Sequence, residues 1–156
     1  MAKVSKFADK VKKIARKDVV SFATDEGDVI DFEIRSVSSE TLDALSEKYD
    51  AMKPPVPSKK VPSGKGFRVI ENPDDPEYKK KTSHISKLHF NHMALMFLAP
   101  EERPEGSEEE QLKAIAEVEL AGFVSKIVSK GLDISGLSKD DDENDLDEAV
   151  KTETKN

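Results

Sequence analysis

The chain of 156 residues carries 32 acidic and 25 basic side chains, a net charge of −7, and contains no Cys or Trp. With 37% charged and 36% hydrophobic residues, it is expected to form one modest domain with solvated segments. The lack of Cys excludes disulfides, thiolate metal sites and a cysteine nucleophile. No segment reaches the roughly 18 to 20 apolar residues of a bilayer span, and no signal peptide opens the chain. We therefore expect a soluble, intracellular protein without a membrane partner.

The two ends of the chain have opposite charge. Residues 1–18 hold seven cations and two acids, a net of +5, whereas residues 139–156 hold three cations and eight acids, a net of −5. Apolar residues are too sparse in 139–156 to offset the entropy that ordering would cost. This pattern predicts a disordered acidic tail over residues 139–156.

The N-terminal segment has the pattern of a basic amphipathic helix over residues 1–18. Phe7, Val11 and Ile14 follow helical spacing opposite a lysine-rich face, and the helix is expected to end near Lys17. Such a helix can lie on a membrane or contact nucleic acid, but docking on its own domain or on a partner is the favoured interpretation.

Residues 19–35 have the pattern of a β-hairpin that opens a single globular domain over residues 19–138. Two β-rich runs flank an acidic turn whose glycine can supply a positive φ. Alternation in the second run places Ile30, Phe32 and Ile34 on one face and charged residues on the other. Because an isolated hairpin is marginally stable, this apolar face is expected to pack on helices.

Three helices are predicted in the remainder of the domain. The first, residues 39–50, follows a serine cap and ends before a Pro-Pro pair. The second, residues 76–98, begins with an Asp-Pro pair, since proline is tolerated at the first helical position. The third, residues 107–130, begins with a capping box and is expected to stop at Gly131.

Residues 53–68, called here the basic arm, contain four prolines and five cations but no acid. Repeated proline disfavours helix and predicts an extended, polyproline-II-like arm, with a short strand from Phe67 to Ile70. The arm is interpreted either as a plain linker or as a docking arm for an acidic or edge-strand partner. The candidate docking residues are Lys53, Pro54, Pro55, Lys59, Lys60, Lys65 and Arg68.

The long helix is apolar on nearly every side from Leu88 to Leu98. A helix of this kind lies at the centre of a core or between the core and a partner. Ile115 and Val118 fall off the apolar stripe of the last helix, so they are expected to form a second exposed contact surface. The candidate client-binding residues are Leu88, Phe90, Met93, Met96, Phe97, Ile115 and Val118.

Motifs for catalysis or metal binding are weak. His84, His89 and His92 all lie on the long helix, but no H-E-x-x-H pattern or cysteine accompanies them, which favours a structural or titrating role over metal binding. The Gly-Lys pair at Lys65 lacks the upstream glycine of a phosphate-binding P-loop. The dense carboxylates fall in the predicted tail and turns rather than in a pocket. We therefore expect no enzyme activity, no cofactor and no metal.

Two short motifs are the most recognisable parts of the sequence. They are Lys53-Pro54-Pro55-Val56-Pro57 in the basic arm and Asn72-Pro73-Asp74-Asp75-Pro76-Glu77-Tyr78 at the start of the long helix. With the order of elements over roughly residues 19–130, they resemble tail assembly chaperones of long-tailed bacteriophages of the siphophage type. The resemblance implies a non-enzymatic role in virion assembly, with the tape-measure protein and tail-tube protein as partners. It also implies residence in the host cytoplasm and absence from the mature virion.

The sequence thus predicts an α+β fold, mainly α, in which a small antiparallel hairpin packs on a few helices and carries a basic arm and an acidic tail. The alternative function is a small regulatory or nucleic-acid-binding adaptor that uses residues 1–18 and the basic arm. Nucleic acid is disfavoured as a partner because the chain is acidic and Phe67 is the one aromatic residue of the arm. Self-association into a homo-oligomer stays open.

Overall fold

The computed structural model describes residues 2–137, so the predicted acidic tail lies outside the described residues. Across residues 2–137 the chain forms five α-helices and two antiparallel two-stranded sheets, which confirms the α+β, mainly α fold class. The helices are α1 (Ala2–Lys13), α2 (Ser39–Asp50), α3 (Pro76–Phe97), α4 (Glu108–Ala116) and α5 (Phe123–Ile134). The strands are β1 (Lys17–Ala23), β2 (Val29–Arg35), β3 (Ser58–Ser63) and β4 (Gly66–Glu71).

The first hairpin, β1–β2, matches the expectation for residues 19–35. Its antiparallel register pairs Val20 with Phe32 and Phe22 with Ile30, so these four side chains share one face with Ile34. Val20 and Ile34 are buried against the helices, as predicted for this face. Ile30 is exposed, because the tip of the hairpin extends past the helices that cover its base.

The core is centred on the C-terminal half of α3. Phe97 is fully buried there, together with Ile34 from β2 and with Ile127 and Val128 from α5. The chain then leaves α3 alongside β2: the amide of Ala99 donates to the carbonyl of Glu33 at 3.0 Å, and Leu98 forms a β-bridge with Ile34.

Gly131 belongs to this core, and its predicted role as a helix stop is wrong. A Cβ placed on Gly131 would overlap the ring of Phe97, so the absent side chain lets α5 approach α3 closely. Helix α5 continues to Ile134 and ends before Gly136, whose φ of +79° suits the left-handed position after a helix.

The predicted starts of α2 and α3 are confirmed by their caps. The side chain of Ser38 accepts a hydrogen bond from the amide of Thr41 at 3.3 Å. The side chain of Asp75 accepts one from the amide of Tyr78 at 3.0 Å, and Pro76 occupies the first turn. Both caps satisfy amides that have no partner within their helices.

The prediction of a polyproline-II-like basic arm is wrong. Residues 58–71 form a second antiparallel hairpin, β3–β4, which includes the short strand expected from Phe67 to Ile70. A glycine turn closes the hairpin, with Gly64 at a φ of +60°. Pro62 lies opposite Phe67, and it is tolerated because every strand of a two-stranded sheet has a free edge where no N–H is needed.

The predicted single helix 107–130 is divided in two. Ser107 caps α4 as expected, accepting a hydrogen bond from the amide of Glu110 at 3.3 Å, but α4 ends at Ala116. A linker of residues 117–122 then leads to α5. The interruption rotates α4 relative to α5, so Ile115 points into the core and is only 3% exposed, contrary to expectation.

Helix α1 is shorter than predicted, because it ends at Lys13 and Lys17 already belongs to β1. Phe7 on α1 is 72% exposed, and Ile14, the residue directly after this helix, is also exposed. Docking of α1 on its own domain is therefore not seen within residues 2–137, and docking on a partner stays a prediction. In that same part of the chain, no helix has both the length and the apolar content that a bilayer span requires.

Candidate protein-binding surface

A groove of about 500 Å³ opens between α3, the linker 117–122 and the first turn of α5. Ile115 forms part of its apolar lining, and Phe90, Val118 and Leu120 lie on its rim. These three rim residues are large and apolar, yet Phe90 and Val118 are 40% exposed and Leu120 is 52% exposed. Neighbouring large apolar side chains that remain in water are typical of a contact surface.

The linker presents Val118 and Leu120 at the surface because its backbone is held in tight turns. The amide of Val118 donates to the carbonyl of Ile115 at 3.2 Å, and the amide of Phe123 donates to the carbonyl of Leu120 at 3.0 Å. Gly122, which stands before α5, offers no side-chain cap and ends the irregular stretch. Val118 and Leu120 are thus fixed between two helices instead of lying on one continuous helical stripe.

The apolar surface continues from the groove onto the first hairpin. Leu120 also lines a neighbouring cavity of about 240 Å³ with Phe22, Gly122 and Lys126. The ring of Phe22 lies 5.3 Å from that of Phe123, and Lys126 Nζ is 5.1 Å from the centroid of the Phe22 ring. We call the exposed or half-exposed residues of this region the apolar strip: Phe90, Val118, Leu120, Phe22 and Ile30.

The predicted client-binding residues divide into surface and core. Phe90 and Val118 lie on the strip, and Leu88, Met93 and Met96 are half-buried. Phe97 is fully buried beneath α5, so it is a core residue and cannot contact a client in this structure. Ile115 is likewise corrected from an exposed position to the lining of the groove.

Leu120, Phe22 and Ile30 were missed as surface residues. Leu120 follows the apolar stripe of a continuous helix 107–130, and that stripe predicts a buried side chain. The signal for the interruption is Gly122, which lowers helix stability by about 1 kcal/mol relative to Ala. Phe22 and Ile30 lie on the hairpin face that was predicted to pack on helices. The alternating pattern identifies this face, but it does not show which of its residues the helices cover.

The buried His92 joins three helices. Its Nδ1 lies 2.8 Å from the hydroxyl of Tyr49 on α2, and its Nε2 lies 3.6 Å from Oε1 of Glu108 on α4. Burial lowers the pKa of His92; Glu108 opposes this shift, and Lys48 and His89 add to it. These contacts support the structural interpretation of this histidine.

His89 completes the cluster by stacking on Tyr49 with ring centroids 5.3 Å apart. Its pKa is also lowered, mainly by burial. Among the residues that the structure describes, no group of three or more His, Asp or Glu is placed to hold a metal ion. The three-helix junction formed by His92, Tyr49, Glu108 and His89 is a hydrogen-bonded and stacked cluster.

The candidate docking residues fall into two groups. Lys59, Lys60, Lys65 and Arg68 are exposed on the β3–β4 hairpin. Nearer the body, Lys53 pairs with Asp50 at 3.2 Å, and Pro54 and Pro55 line a shallow cavity with Tyr78 at the start of α3. The structure thus places the cations on a hairpin and the prolines at its base.

The hairpin adds apolar surface that the candidate residues did not include. Phe67 is 73% exposed, and the register places it on the same face as Val69 and Lys60. Two surfaces therefore have the character of contact sites: the apolar strip and this face of β3–β4. No protein-family model, curated protein or solved structure matches the chain.

Proposed function

We propose that this protein is a tail assembly chaperone of a long-tailed bacteriophage, which binds the tape-measure protein and tail-tube subunits during tail assembly. The observation that carries the proposal is the apolar strip, where Phe90, Val118 and Leu120 stay exposed around the groove. The resemblance of residues 19–130 to this class supports the proposal. The role is non-enzymatic, takes place in the host cytoplasm and leaves the protein outside the mature virion.

The groove suits a helical client. A tape-measure protein is a long, mostly helical chain with an apolar stripe, and such a stripe binds by placing side chains of successive turns into a groove. Fully burying one Leu, Val or Phe side chain contributes about 1.5–3 kcal/mol, so a few such contacts can offset the cost of association. Lys87 and Glu119 at the groove supply both charge signs for the polar flanks of such a helix.

The β3–β4 hairpin is proposed as the second contact. Its exposed Phe67 and Val69 offer an apolar face that also carries Lys60, and Lys59 and Arg68 on the opposite face add positive charge that favours an acidic partner. Both of its strands also have a free edge, to which an extended client segment can add as a further strand. The basic arm is thus still proposed to dock on a partner, but as a β-hairpin and not as an extended polyproline-II segment.

Co-expression with a tape-measure protein and a tail-tube protein, followed by affinity capture, tests the proposal. We expect the natural chain to capture the tape-measure protein and a Val118→Ser/Leu120→Ser variant to lose most of it. Val29→Ser is the control, because Val29 is more exposed than either residue but lies on the opposite face of the first hairpin from Phe22 and Ile30. Failure to capture either partner, or equal capture by the double variant, would contradict the proposal.

A second candidate is a nucleic-acid-binding adaptor, which one observation favours. The β3–β4 hairpin brings the exposed Phe67 to the same face as Lys60, and an aromatic ring beside cations is typical of single-strand binding. Titration with single-stranded DNA and RNA at two salt concentrations tests it. Genuine phosphate contact requires affinity to fall steeply with salt and to weaken in a Lys59→Gln/Lys60→Gln variant.

A further inference from the structure

The last described residues of the chain lie near the C-terminal end of α1. The amide of Ser36 donates to the carbonyl of Arg16 at 2.9 Å, just after α1. The amide of the next residue, Val37, donates to Oγ of Ser135 at 3.0 Å, just after α5. The described part of the chain therefore ends close to the point where α1 joins the domain.

Helix α1 presents an uncovered basic and apolar surface at that point. Lys10, Lys12 and Lys13 are exposed, as are Phe7 and Ile14. Phe7 is 72% exposed, and Ile14, the residue directly after α1, is 61% exposed. A segment that covers this surface needs negative charge together with a few apolar side chains.

Residues 139–156 have that composition. Eight acids and three cations give a net charge of −5, against +5 for residues 1–18. Leu146, Ala149 and Val150 stand at i, i+3 and i+4 among the acids, the spacing that places side chains on one face of a helix. The segment thus complements α1 in both charge and apolar pattern.

We propose that residues 139–156 dock on α1 of the same chain, pairing acids with its lysines and covering Phe7 and Ile14 with Leu146 and Val150. The reach is sufficient: the eight residues 138–145 can span about 26 Å when extended, whereas the whole of α1 is about 18 Å long. Tethering also raises the local concentration of the segment to the order of millimolar, which favours an intramolecular contact.

The β3–β4 hairpin is the competing basic surface, and position disfavours it. It precedes the N-terminus of α3, whereas Val37 lies near the other end, where Leu98 bridges to Ile34. The 22 residues of α3 separate the two ends by about 33 Å. The proposed contact with α1 is independent of the proposed chaperone function.

Paramagnetic relaxation enhancement, measured by NMR on the full chain, tests the contact. Because the sequence has no Cys, a Thr152→Cys variant accepts a single nitroxide label. We expect the amide signals of residues 6–14 to lose intensity several-fold relative to those of residues 58–71. The loss should largely disappear near 1 M salt, where the Debye length falls to about 3 Å.

Two variants in the labelled chain separate this contact from general charge effects. Lys10→Glu/Lys12→Glu/Lys13→Glu should abolish the intensity loss on α1, whereas the matched triple Lys59→Glu/Lys60→Glu/Lys65→Glu should leave it in place. Leu146→Ser/Val150→Ser changes no charge and leaves α1 intact, and it should reduce the loss.

Three outcomes would overturn the proposal. The first is unchanged intensity on α1, and the second is a loss confined to the β3–β4 hairpin. The third comes from mixing nitroxide-labelled chains with isotope-labelled chains that carry no nitroxide: intensity loss as strong in the mixture as within one chain would assign the contact to a second copy.

Discussion

The two hairpins of this protein are built alike and placed differently. Both are antiparallel pairs of six- or seven-residue strands closed by a glycine at positive φ, Gly27 in one and Gly64 in the other. In β1–β2 one face is covered by helices, and Ile34 is fully buried. In β3–β4 none of the twelve strand residues is buried by the rest of the described chain.

The difference shows what turns a hairpin into part of a core. The inward face of β1–β2 contributes Val20 and Ile34, which are buried in the core, and Phe22 and Phe32, which are partly buried against it. The exposed face of β3–β4 has Phe67 and Val69, and no helix within residues 2–137 buries either side chain. Apolar side chains at alternate positions are thus a condition for burial, and a covering element decides whether burial follows.

The largest expected effect is loss of the buried isoleucine of β2. Ile34→Ala should lower the free energy of unfolding by about 2–5 kcal/mol, because it leaves a cavity at a fully buried position. Ile70→Ala makes the same chemical change in β4, where the side chain is only partly covered, and should cost about 1 kcal/mol or less. Equilibrium denaturation in urea measures both. Equal losses would show that β3–β4 is as well packed as β1–β2.

Gly131→Ala is expected to have the second largest effect. The ring of Phe97 occupies the place of the new methyl group, and overpacking costs about 1–3 kcal/mol, more than the roughly 1 kcal/mol that alanine gains in a helix. Gly66→Ala in β4 is the control, since nothing lies within 4 Å of its added Cβ. Thermal unfolding of the two variants should therefore show a lower midpoint for Gly131→Ala alone.

Acidification should weaken the three-helix junction. The pKa values of His89 and His92 are lowered in the folded chain, so their contribution is complete above the unfolded value near 6.5 and is lost as pH falls through the folded values. The slope is at most about 1.4 kcal/mol per pH unit for each histidine. Urea denaturation between pH 7.5 and 5 measures it. A His92→Gln variant should show a shallower dependence, and His84→Gln, on the exposed side of α3, should match the natural chain.

The smallest of these effects is expected at the end of α3. Arg103 donates from Nε to the carbonyl of Leu98 at 3.1 Å and from Nη2 to that of Met96 at 3.3 Å, and these carbonyls have few other partners at a helix end. Arg103→Met should cost about 1 kcal/mol in total. Arg68→Met, on the exposed surface of β4, should change stability by about 0.5 kcal/mol or less. A similar loss in both would remove the cap interpretation.

Local chemistry made part of the fold predictable. Ser38, Asp75 and Ser107 each cap the helix that the sequence assigns to them, because a short polar side chain before an apolar pattern satisfies free amides. The β1–β2 hairpin was predictable for a related reason: its turn glycine and its period of two agree. These elements depend on interactions within a few residues along the chain.

The second hairpin and the division of the last helix were not predicted, for different reasons. The polyproline-II prediction for the basic arm gave proline too much weight, because Pro62 lies on an edge strand, which accepts proline. The apolar period of 107–130 continues through Gly122, and only the tertiary packing of Ile115 shows that the two halves rotate. The candidate site suffers most from this error, since Leu120 reaches the surface only because the helix is interrupted.

One contact at the end of α3 bears on behaviour in a crowded cell. A two-stranded sheet offers two rows of free backbone groups, which invite pairing between molecules and aggregation. Along β2, the chain itself occupies part of that row, because Ala99 donates to Glu33 and Leu98 bridges to Ile34. The connection after α3 therefore occupies backbone groups at this edge of β2, where another molecule could otherwise add a strand.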